Sequence, residues 1–232
     1  MPRRLIIAID GPSGAGKSTL GRMLARELNL LYIDTGSMYR AVALAVLESS
    51  VSSIDDVAVG SLAARVSIDL RGEPESMEVT LEGRDVTEAI RSDEVTRLSS
   101  IISAIPQVRR AMVERQREMG KRGGVLNGRD IGTVVFPDAD VKFFLTALPQ
   151  ERAQRRFVEE RVQDPDAEFE ETFVDMTARD RRDSTRSDSP LRIPEDAVVI
   201  DSTGVSIDEV FATMIAVVRE KTRRGLAILG DG

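Results

Sequence analysis

A glycine-rich stretch close to the N-terminus constrains the fold of this chain more than any other feature. Residues 10–18 are DGPSGAGKS, which follow an apolar run at residues 5–9 and lead into a helical pattern. Residues 11–18 fit G-x-x-x-x-G-K-[ST], a loop whose backbone N–H groups surround the phosphates of a nucleotide. Lys17 is expected to reach the β- and γ-phosphates, and the Ser18 hydroxyl to ligate Mg²⁺. The expected ATP-binding residues of the loop are Gly11, Pro12, Ser13, Gly14, Ala15, Gly16, Lys17, Ser18 and Thr19.

The alternative for this stretch is a glycine-rich strand-to-helix turn that binds nothing. Average residue usage gives a chance match somewhere in such a chain with a probability on the order of one in a hundred, and the surrounding strand and helix lower it further. The loop identifies a phosphate donor and leaves the acceptor open. A GTPase would need a guanine-binding [NT]-K-x-D stretch, which the chain lacks. The D-x-x-G match at residues 201–204 follows the last predicted strand, where a GTPase switch would not lie.

Five short apolar runs, rich in branched or aromatic residues, predict a parallel sheet. They occupy residues 5–9, 30–33, 125–126, 141–145 and 197–200. All but one are near-continuous, as expected of strands that are buried on both faces, and helical patterns lie between them. We therefore expect an α/β, doubly wound fold with a five-stranded parallel sheet flanked by helices. The capping box from Ser206 to Glu209 predicts a last helix that runs to about Arg224, with a frayed tail at 225–232.

One connection between the predicted strands is too long for a simple crossover. It contains two predicted strands at 66–70 and 78–81 and two predicted helices at 92–104 and 106–121. We interpret part of it as an inserted subdomain. The predicted domains are a core at 1–62, 101–148 and 187–232, an inserted subdomain at 63–100, and a lid with an arginine-rich helix at 149–186.

The composition excludes several classes of catalytic chemistry. With no cysteine and no histidine, the chain can form neither Cys/His zinc sites nor thiol nucleophiles, imidazole bases or Ser-His-Asp triads. Its 32 basic and 39 acidic residues give a net charge of −7, which argues against non-specific nucleic-acid binding. No apolar stretch approaches the ~18 residues of a membrane span, and the N-terminal apolar run ends at Asp10, unlike a signal peptide. We expect a soluble, cytoplasmic protein.

Arginines and their polar neighbours are concentrated in four segments, at residues 34–40, 100–109, 128–130 and 179–186. Phosphoryl transfer requires dense positive charge around both substrates, and arginine supplies planar, bidentate donors for it. Because loops at the carboxyl ends of parallel strands line the ligand crevice, the first and third segments are expected beside the phosphate-binding loop.

Two of the arginine groups have an ordinary alternative. Arg179, Asp183 and Arg186 share one helical face, and the three arginines within residues 152–156 lie among glutamates on another. Either group alone could be a salt-bridged, solvated surface.

Five segments of the chain, in this order, carry a resemblance to a known family. They are GPSGAGKST, DTGSMYR, NGRDIGTVVFPDA, ERAQRR and RDRRDSTR. Together they resemble the bacterial cytidylate kinases, from residue 6 to about residue 219. The resemblance implies a P-loop NTPase fold with an inserted monophosphate-binding subdomain and a short lid. It also implies transfer of the γ-phosphate of ATP to CMP or dCMP, with Mg²⁺ as cofactor, by a monomer that has no nucleic-acid or membrane partner.

The resemblance also implies roles on the acceptor side. The residues implied in CMP binding are Thr35, Gly36, Tyr39, Arg40, Ser100, Arg109, Arg129, Asp130, Arg179, Asp183 and Arg186. Ser100, Arg109 and Asp130 match residues that contact the cytosine edge, and Arg179 and Asp183 match a pair around the ribose. A carboxylate can accept from the cytosine 4-amino group, whereas a uracil carbonyl at that place would face it unfavourably.

On the donor side, Arg152, Arg155 and Arg156 match lid arginines that close over the ATP phosphates. The implied catalytic residues are Lys17, Arg129, Arg152, Arg156 and Arg186. The implied magnesium ligands are Ser18, directly, and Asp34 and Asn127 through water. Asn127 departs from the family, whose members carry an acidic residue there, and this lost charge bears on Mg²⁺ affinity rather than on the substrate class. Asp10 or Asp34 could supply a negative charge in its place.

Two rival functions stay open at this point. One is a kinase of a different small acceptor, such as another nucleoside monophosphate or shikimate, which only the acceptor-side residues distinguish. The other is a protein that binds ATP as a switch and has no small acceptor. Four arginine segments converging on one crevice would have no use in such a protein.

Overall fold

The computed structural model describes residues 5–229, including their side chains except at 163 and 224–229. In chain order the strands and helices are β1 (Ile6–Asp10), α1 (Lys17–Leu28), β2 (Tyr32–Asp34), α2 (Thr35–Glu48), α3 (Asp56–Arg65), β3 (Ile68–Arg71), β4 (Glu78–Leu81), β5 (Arg84–Asp85), α4 (Asp93–Ile102), α5 (Pro106–Gly120), β6 (Gly124–Asn127), β7 (Val141–Thr146), α6 (Pro149–Gln163), α7 (Phe169–Thr185), β8 (Val198–Asp201) and α8 (Ile207–Leu229). A 3₁₀ turn at Ala89–Arg91 and a π-helical turn at Ile131–Val135 lie between them.

The larger sheet of the described chain has five parallel strands in the order β2-β6-β1-β7-β8. β1 lies at its centre and is buried along its whole length. Ile7 and Ile9 face one side, in a core shared with α1 and α8, while Ile6 and Ala8 face the other, in a core shared with α5 and the π-helical turn. The α/β fold with a five-stranded parallel sheet is therefore confirmed. Both faces of its central strand are covered, as its near-continuous apolar run requires, whereas Val199 of the edge strand β8 is 50% exposed.

A smaller sheet lies between α3 and α4 in the chain. It is antiparallel, in the order β3-β4-β5, and its apolar side chains share a core with α2, α4 and α5. The predicted boundaries of the inserted subdomain, at residues 63 and 100, fall inside α3 and α4. The division into domains stays a prediction.

The sequence pattern missed α3, β5, the 3₁₀ turn and the π-helical turn, and it misjudged one end. α3 begins after Asp55, whose carboxylate accepts from the N–H groups of Val57 and Ala58, a cap that can be recognised only once the helix is suspected. The two-residue β5 and the π-helical turn carry no periodicity to detect. The capping box at Ser206 is confirmed, but the backbone of α8 continues to Leu229 rather than ending near Arg224. The last part of the predicted frayed tail, 230–232, lies outside the described residues.

No helix within residues 5–229 has the length and apolar character that crossing a membrane would require.

Candidate active site

The phosphate-binding loop joins the central strand β1 to α1, and its glycines are required by close packing. Gly11 and Gly14 have φ values of 146° and 70°, which residues with a side chain rarely adopt. A Cβ on Gly11 would lie 2.1 Å from the carbonyl oxygen of Leu145, and one on Gly14 would lie 2.5 Å from that of Arg152. The loop is therefore pressed against the end of β7 and the start of α6.

The loop opens onto a crevice of about 770 Å³, within the usual range for small-molecule sites. Most of the residues expected at the site line this crevice. They are Ser13, Gly14, Ala15, Gly16, Lys17, Ser18, Thr19, Asp34, Thr35, Gly36, Tyr39, Arg40, Arg109, Asn127, Arg129, Asp130, Arg156, Arg179, Asp183 and Arg186. The structure thus brings residues from all four arginine segments together around the loop.

A buried network of alternating charges lines the part of the crevice where the acceptor is expected. Arg109 donates from Nη2 to Asp130 over 2.6 Å, and Asp130 also lies 3.7 Å from Nη2 of Arg186. Arg186 and Arg129 in turn contact the two carboxylate oxygens of Asp183, at 3.3 and 2.9 Å. Asp183 is only 4% exposed, so the alternative of a solvated surface at this face is wrong.

Unsatisfied donors in the network point to an anionic ligand. The Nη2 atom of Arg186 and the Nε atom of Arg40 are buried and have no hydrogen-bond partner in residues 5–229. Burial, followed by the positive charge of Arg129, lowers the pKa of Arg179 to about 10. Burial and the charges of Arg129 and Arg179 also lower the pKa of Lys17. Each of these shifts would be relieved by negative charge in the crevice.

Asp34 binds a second group of donors at the N-terminus of α2. Asp34 caps this helix by accepting from the N–H of Gly36 and from the hydroxyl of Ser37, and it also pairs with Arg40 at 3.3 Å. Thr35 donates its hydroxyl proton to the carbonyl oxygen of Asn127 over 2.7 Å, which ties α2 to the end of β6.

The residues at the end of β6 fit a magnesium ion held largely by phosphates. The Nδ2 atom of Asn127 donates to Oγ of Ser18 over 3.1 Å, while its Oδ1 atom is buried and lacks a partner among the described residues. No group of three or more potential metal-binding side chains occurs in the described part of the chain. A magnesium ion that keeps several waters and binds mainly to substrate phosphates needs only such a sparse protein contribution. Asp34 is less available, because the cap of α2 and Arg40 occupy its carboxylate.

The chain matches known proteins along most of its length. The family model described as "Cytidylate kinase" matches residues 7–220. This chain belongs to the cytidylate kinase family. A "Cytidylate kinase" of Syntrophotalea carbinolica is 50% identical over 222 residues, which cover 95% of this chain and 94% of that protein. Another of Bacillus velezensis is 45% identical over 224 residues, which cover 96% of this chain and 100% of that protein.

A solved structure supports the fold independently of the sequence. An uncharacterized protein from Eubacterium ventriosum superposes on this cytidylate kinase family member with a TM-score of 0.53. The superposition covers 94% of this chain and 99% of that one at 12% identity, so the likeness concerns the fold alone.

The three arginines expected in the family's lid lie in different surroundings. Arg152 is buried beneath the phosphate-binding loop. Arg155 donates to the hydroxyl and the carbonyl oxygen of Ser202, which ties α6 to the loop after β8. Arg156 lines the crevice, where its Nε atom donates to Glu160 over 2.8 Å. Of the three, Arg156 alone lines the crevice in this structure.

Ser100, expected at the cytosine edge in this family, has a protein partner. Its hydroxyl oxygen accepts from Nε and Nη2 of Arg182, at 3.3 and 3.0 Å. Arg182 lies within the fourth arginine segment, but the sequence assigns it no role. Because the two residues are 82 positions apart, no local pattern indicates this contact.

Asp10 contributes to the site in a way that the sequence did not indicate. It ends β1, is fully buried, and accepts from the N–H groups of Ile131 and Gly132 at 2.8 and 2.7 Å. At the other end of the same π-helical turn, Arg117 donates to the carbonyl oxygens of Val134 and Val135. The turn that follows Arg129 and Asp130 is thus held at both ends.

Proposed function

We propose that this member of the cytidylate kinase family transfers the γ-phosphate of ATP to CMP or dCMP, giving ADP and CDP or dCDP. The observation that carries the proposal is the buried network of Arg109, Asp130, Arg186, Asp183 and Arg129, which lies across the crevice from the phosphate-binding loop. A protein that used ATP only as a switch would have no need for this second charged site.

Phosphoryl transfer in this crevice depends on positioning and charge. The acceptor phosphate is itself an anionic nucleophile, so no general base is required and the absence of histidine is no obstacle. Lys17 donates from Nζ to the carbonyl oxygen of Pro12 over 2.6 Å, and burial with the nearby charges of Arg129 and Arg179 lowers its pKa. We assign to it the neutralisation of charge that develops on the transferred group. When bound with ATP, Mg²⁺ supplies further neutralisation of the phosphates, with Ser18 and Asn127 as the nearest side chains to hold it.

The acceptor side suits a cytosine nucleotide. We assign the acceptor phosphate to Arg40, Arg129 and Arg186, which surround the crevice and offer unsatisfied or exchangeable donors. Asp130, held by Arg109, is placed to accept from an exocyclic amino group, which selects cytosine over uracil by charge. Arg179 and Asp183 are assigned to the ribose.

The remaining assignments extend the same proposal to the whole chain. Residues 63–100 form the monophosphate-binding subdomain, and 149–186 form the lid with its arginine-rich helix. In the closed state Arg156 exchanges Glu160 for the ATP phosphates, and closure excludes water that would otherwise hydrolyse ATP. The protein acts as a cytoplasmic monomer with Mg²⁺, ATP and CMP or dCMP, and without nucleic-acid or membrane partners.

A coupled assay of ADP release tests the function against its rivals. The acceptor panel contains CMP, dCMP, UMP, AMP and shikimate, each with ATP and Mg²⁺. We expect ADP release that depends on CMP or dCMP and is weak with the others. If none of the acceptors increased ADP release, the kinase function would be rejected. Faster turnover of UMP than of CMP would reject the assignment of Asp130 to base selection.

The variant Asp130→Asn tests base selection directly. An amide can donate to a uracil carbonyl, so we expect the ratio of kcat/KM for CMP to that for UMP to fall by about tenfold or more. The matched control is Asp85→Asn, since Asp85 lines the same crevice but hydrogen-bonds Thr87. We expect this control to keep the wild-type ratio.

A further inference from the structure

Asp180 lies on α7 between the two residues assigned to the ribose, yet its carboxylate contacts the donor loop. Its Oδ1 atom accepts from the backbone N–H of Ser13 over 3.1 Å. Its Oδ2 atom accepts from Nη1 of Arg152 over 2.5 Å. Its side chain is 18% exposed, and that of Arg152 is 8% exposed. The contact therefore joins residues 167 positions apart in a largely buried setting.

Arg152 also contacts Ser13 of the loop. Its Nη1 atom donates to the carbonyl oxygen of Ser13 over 2.9 Å, and its Nε atom to that of Ala147 over 3.0 Å. Gly14 packs so closely on Arg152 that a Cβ there would meet its carbonyl oxygen at 2.5 Å. Asp180 and Arg152 thus occupy both backbone polar groups of Ser13. Their mutual ion pair leaves little net negative charge beside the phosphates of a bound nucleotide.

The same helix carries the acceptor side of the crevice. Asp183 lies one turn from Asp180, about 4.5 Å along the helix axis, and binds Arg129. Arg182 binds Ser100 of α4. Because a helix moves as a rigid unit, the position of the acceptor residues on α7 is tied to the conformation of the loop at Ser13.

We propose that Asp180 and Arg152 are positioning residues that couple the donor loop to the acceptor crevice, so that ATP and CMP strengthen each other's binding. The inference rests on the proposed function, because it requires two nucleotide sites. ATP bound by the loop favours one position of the Ser13–Gly14 peptide, and through Asp180 the matching position of α7 and its acceptor residues. The second nucleotide then binds to residues that are already in that position, and the coupling is reciprocal.

The test measures the dissociation constant of CMP by calorimetry, with and without a saturating non-hydrolysable ATP analogue. For the wild type we expect binding about fivefold or more tighter with the analogue, in the usual range of coupling between sites. In Asp180→Ala we expect this factor to fall towards one, with the affinity for CMP alone nearly unchanged. Asp180→Asn keeps an acceptor for Ser13 but loses the ion pair, and we expect an intermediate factor.

The matched control is Asp175→Asn, the same chemical change on the same helix. Asp175 is 64% exposed and lies 3.6 Å from Arg97, away from the loop, so this variant should keep the wild-type factor. Thermal unfolding of each variant shows whether it is folded, and Asp180→Asn serves if the alanine variant is not.

A double-mutant cycle with Arg152→Ala separates positioning from a merely structural role. If the pair acts as a unit, the double variant loses no more coupling than Asp180→Ala alone. A wild type that phosphorylates CMP but shows no coupling, or Asp180 variants that keep the full factor, would overturn the inference and leave the proposed function standing. A wild type with no acceptor-dependent ADP release would instead overturn the proposed function.

Discussion

Asp10 is a buried carboxyl group whose ionisation works against the folded state. Burial raises its pKa to about 7, in spite of the hydrogen bonds from Gly132 and Ile131, and nearby Asp130 adds to the shift. In the unfolded chain the same group titrates near the ordinary aspartate pKa of 3.8. The folded state therefore holds this proton more tightly, and the resulting stability, fully present below about pH 4, is lost as the pH rises through 7.

We predict that Asp10→Asn removes this pH dependence. Between about pH 4.5 and 6.5, the free energy of unfolding of the wild type should fall more steeply with pH than that of the variant, by about 1.4 kcal/mol per pH unit for the one proton concerned. Urea unfolding at closely spaced pH values measures both slopes. The control Asp201→Asn removes a carboxyl group whose pKa is lowered by Thr203, so it should leave the slope in this window unchanged. Equal slopes for the wild type and Asp10→Asn would contradict the assignment.

The second prediction at the residue scale concerns Asn127, where the family resemblance implies a carboxylate. In Asn127→Asp a negative charge replaces the amide beside Ser18, and we expect the Mg²⁺ concentration for half-maximal activity to fall several-fold. Selectivity for CMP over UMP should not change, because Asn127 lies on the donor side. A Mg²⁺ titration of the kinase reaction measures this. An unchanged titration curve would show that Asn127 has no part in holding the ion.

At the scale of elements, stability and ATP binding should depend on how closely the donor loop packs against α6, as well as on the sequence motif of the loop. In Gly14→Ala the added methyl group meets both an unfavourable φ and the carbonyl oxygen of Arg152. The control is Gly83→Ala, since Gly83 has a φ of 77° but an added Cβ there would have nothing within 4 Å. We expect Gly83→Ala to cost about 1–2 kcal/mol of unfolding free energy, and Gly14→Ala about 1–3 kcal/mol more, with weaker ATP binding. Chemical denaturation and ATP titration measure the two effects, and equal costs would contradict the close packing.

The elements that the sequence predicted are those with a strong local pattern. Near-continuous apolar runs identified four of the five parallel strands, because a strand buried on both faces has no polar alternation, and the short run at 125–126 was identified mainly by its position. α3 was not predicted because the residues that it buries fully, Val59, Gly60 and Ala63, are small or short, and Leu62 is its one larger side chain packed against the core. β5 is too short to show a period, and its pairing with β4 depends on the turn at Gly83.

The residues of the candidate site also fall into those that the sequence could place and those that it could not. Motif positions such as Lys17 and Arg129 could be placed at the crevice because strand ends determine where their loops lie. The contacts of Asp10, Asp180 and Arg182 could not be predicted, because their partners lie 121, 167 and 82 residues away. Such contacts depend on how helices and turns pack, which no local spacing encodes. Arg152 shows the same limit, since its lid motif gave no sign of its place beneath the loop.

For the whole molecule, net charge and local charge make opposite predictions about nucleotide binding. The chain carries a net charge of −7, which would repel an anionic nucleotide weakly, so screening by salt would improve binding. Beside the donor loop, the crevice instead brings Lys17, Arg129 and Arg179 together, and the charges of the two arginines add to burial in lowering the pKa of Lys17. A low-dielectric cleft concentrates that field, so the local charge should dominate.

We therefore predict that the affinity for CMP falls between about 20 and 300 mM salt, even though protein and ligand are both anionic overall. Calorimetric titration at a series of salt concentrations gives the slope. Arg179→Gln should make the slope shallower, because it removes a half-buried positive charge that lines the crevice. Arg71→Gln is the matched control, since Arg71 is 70% exposed and paired with Asp69, and it should keep the wild-type slope. An affinity for CMP that rose with salt would mean that the net charge of the protein, and not the arginine-lined crevice, governs CMP binding.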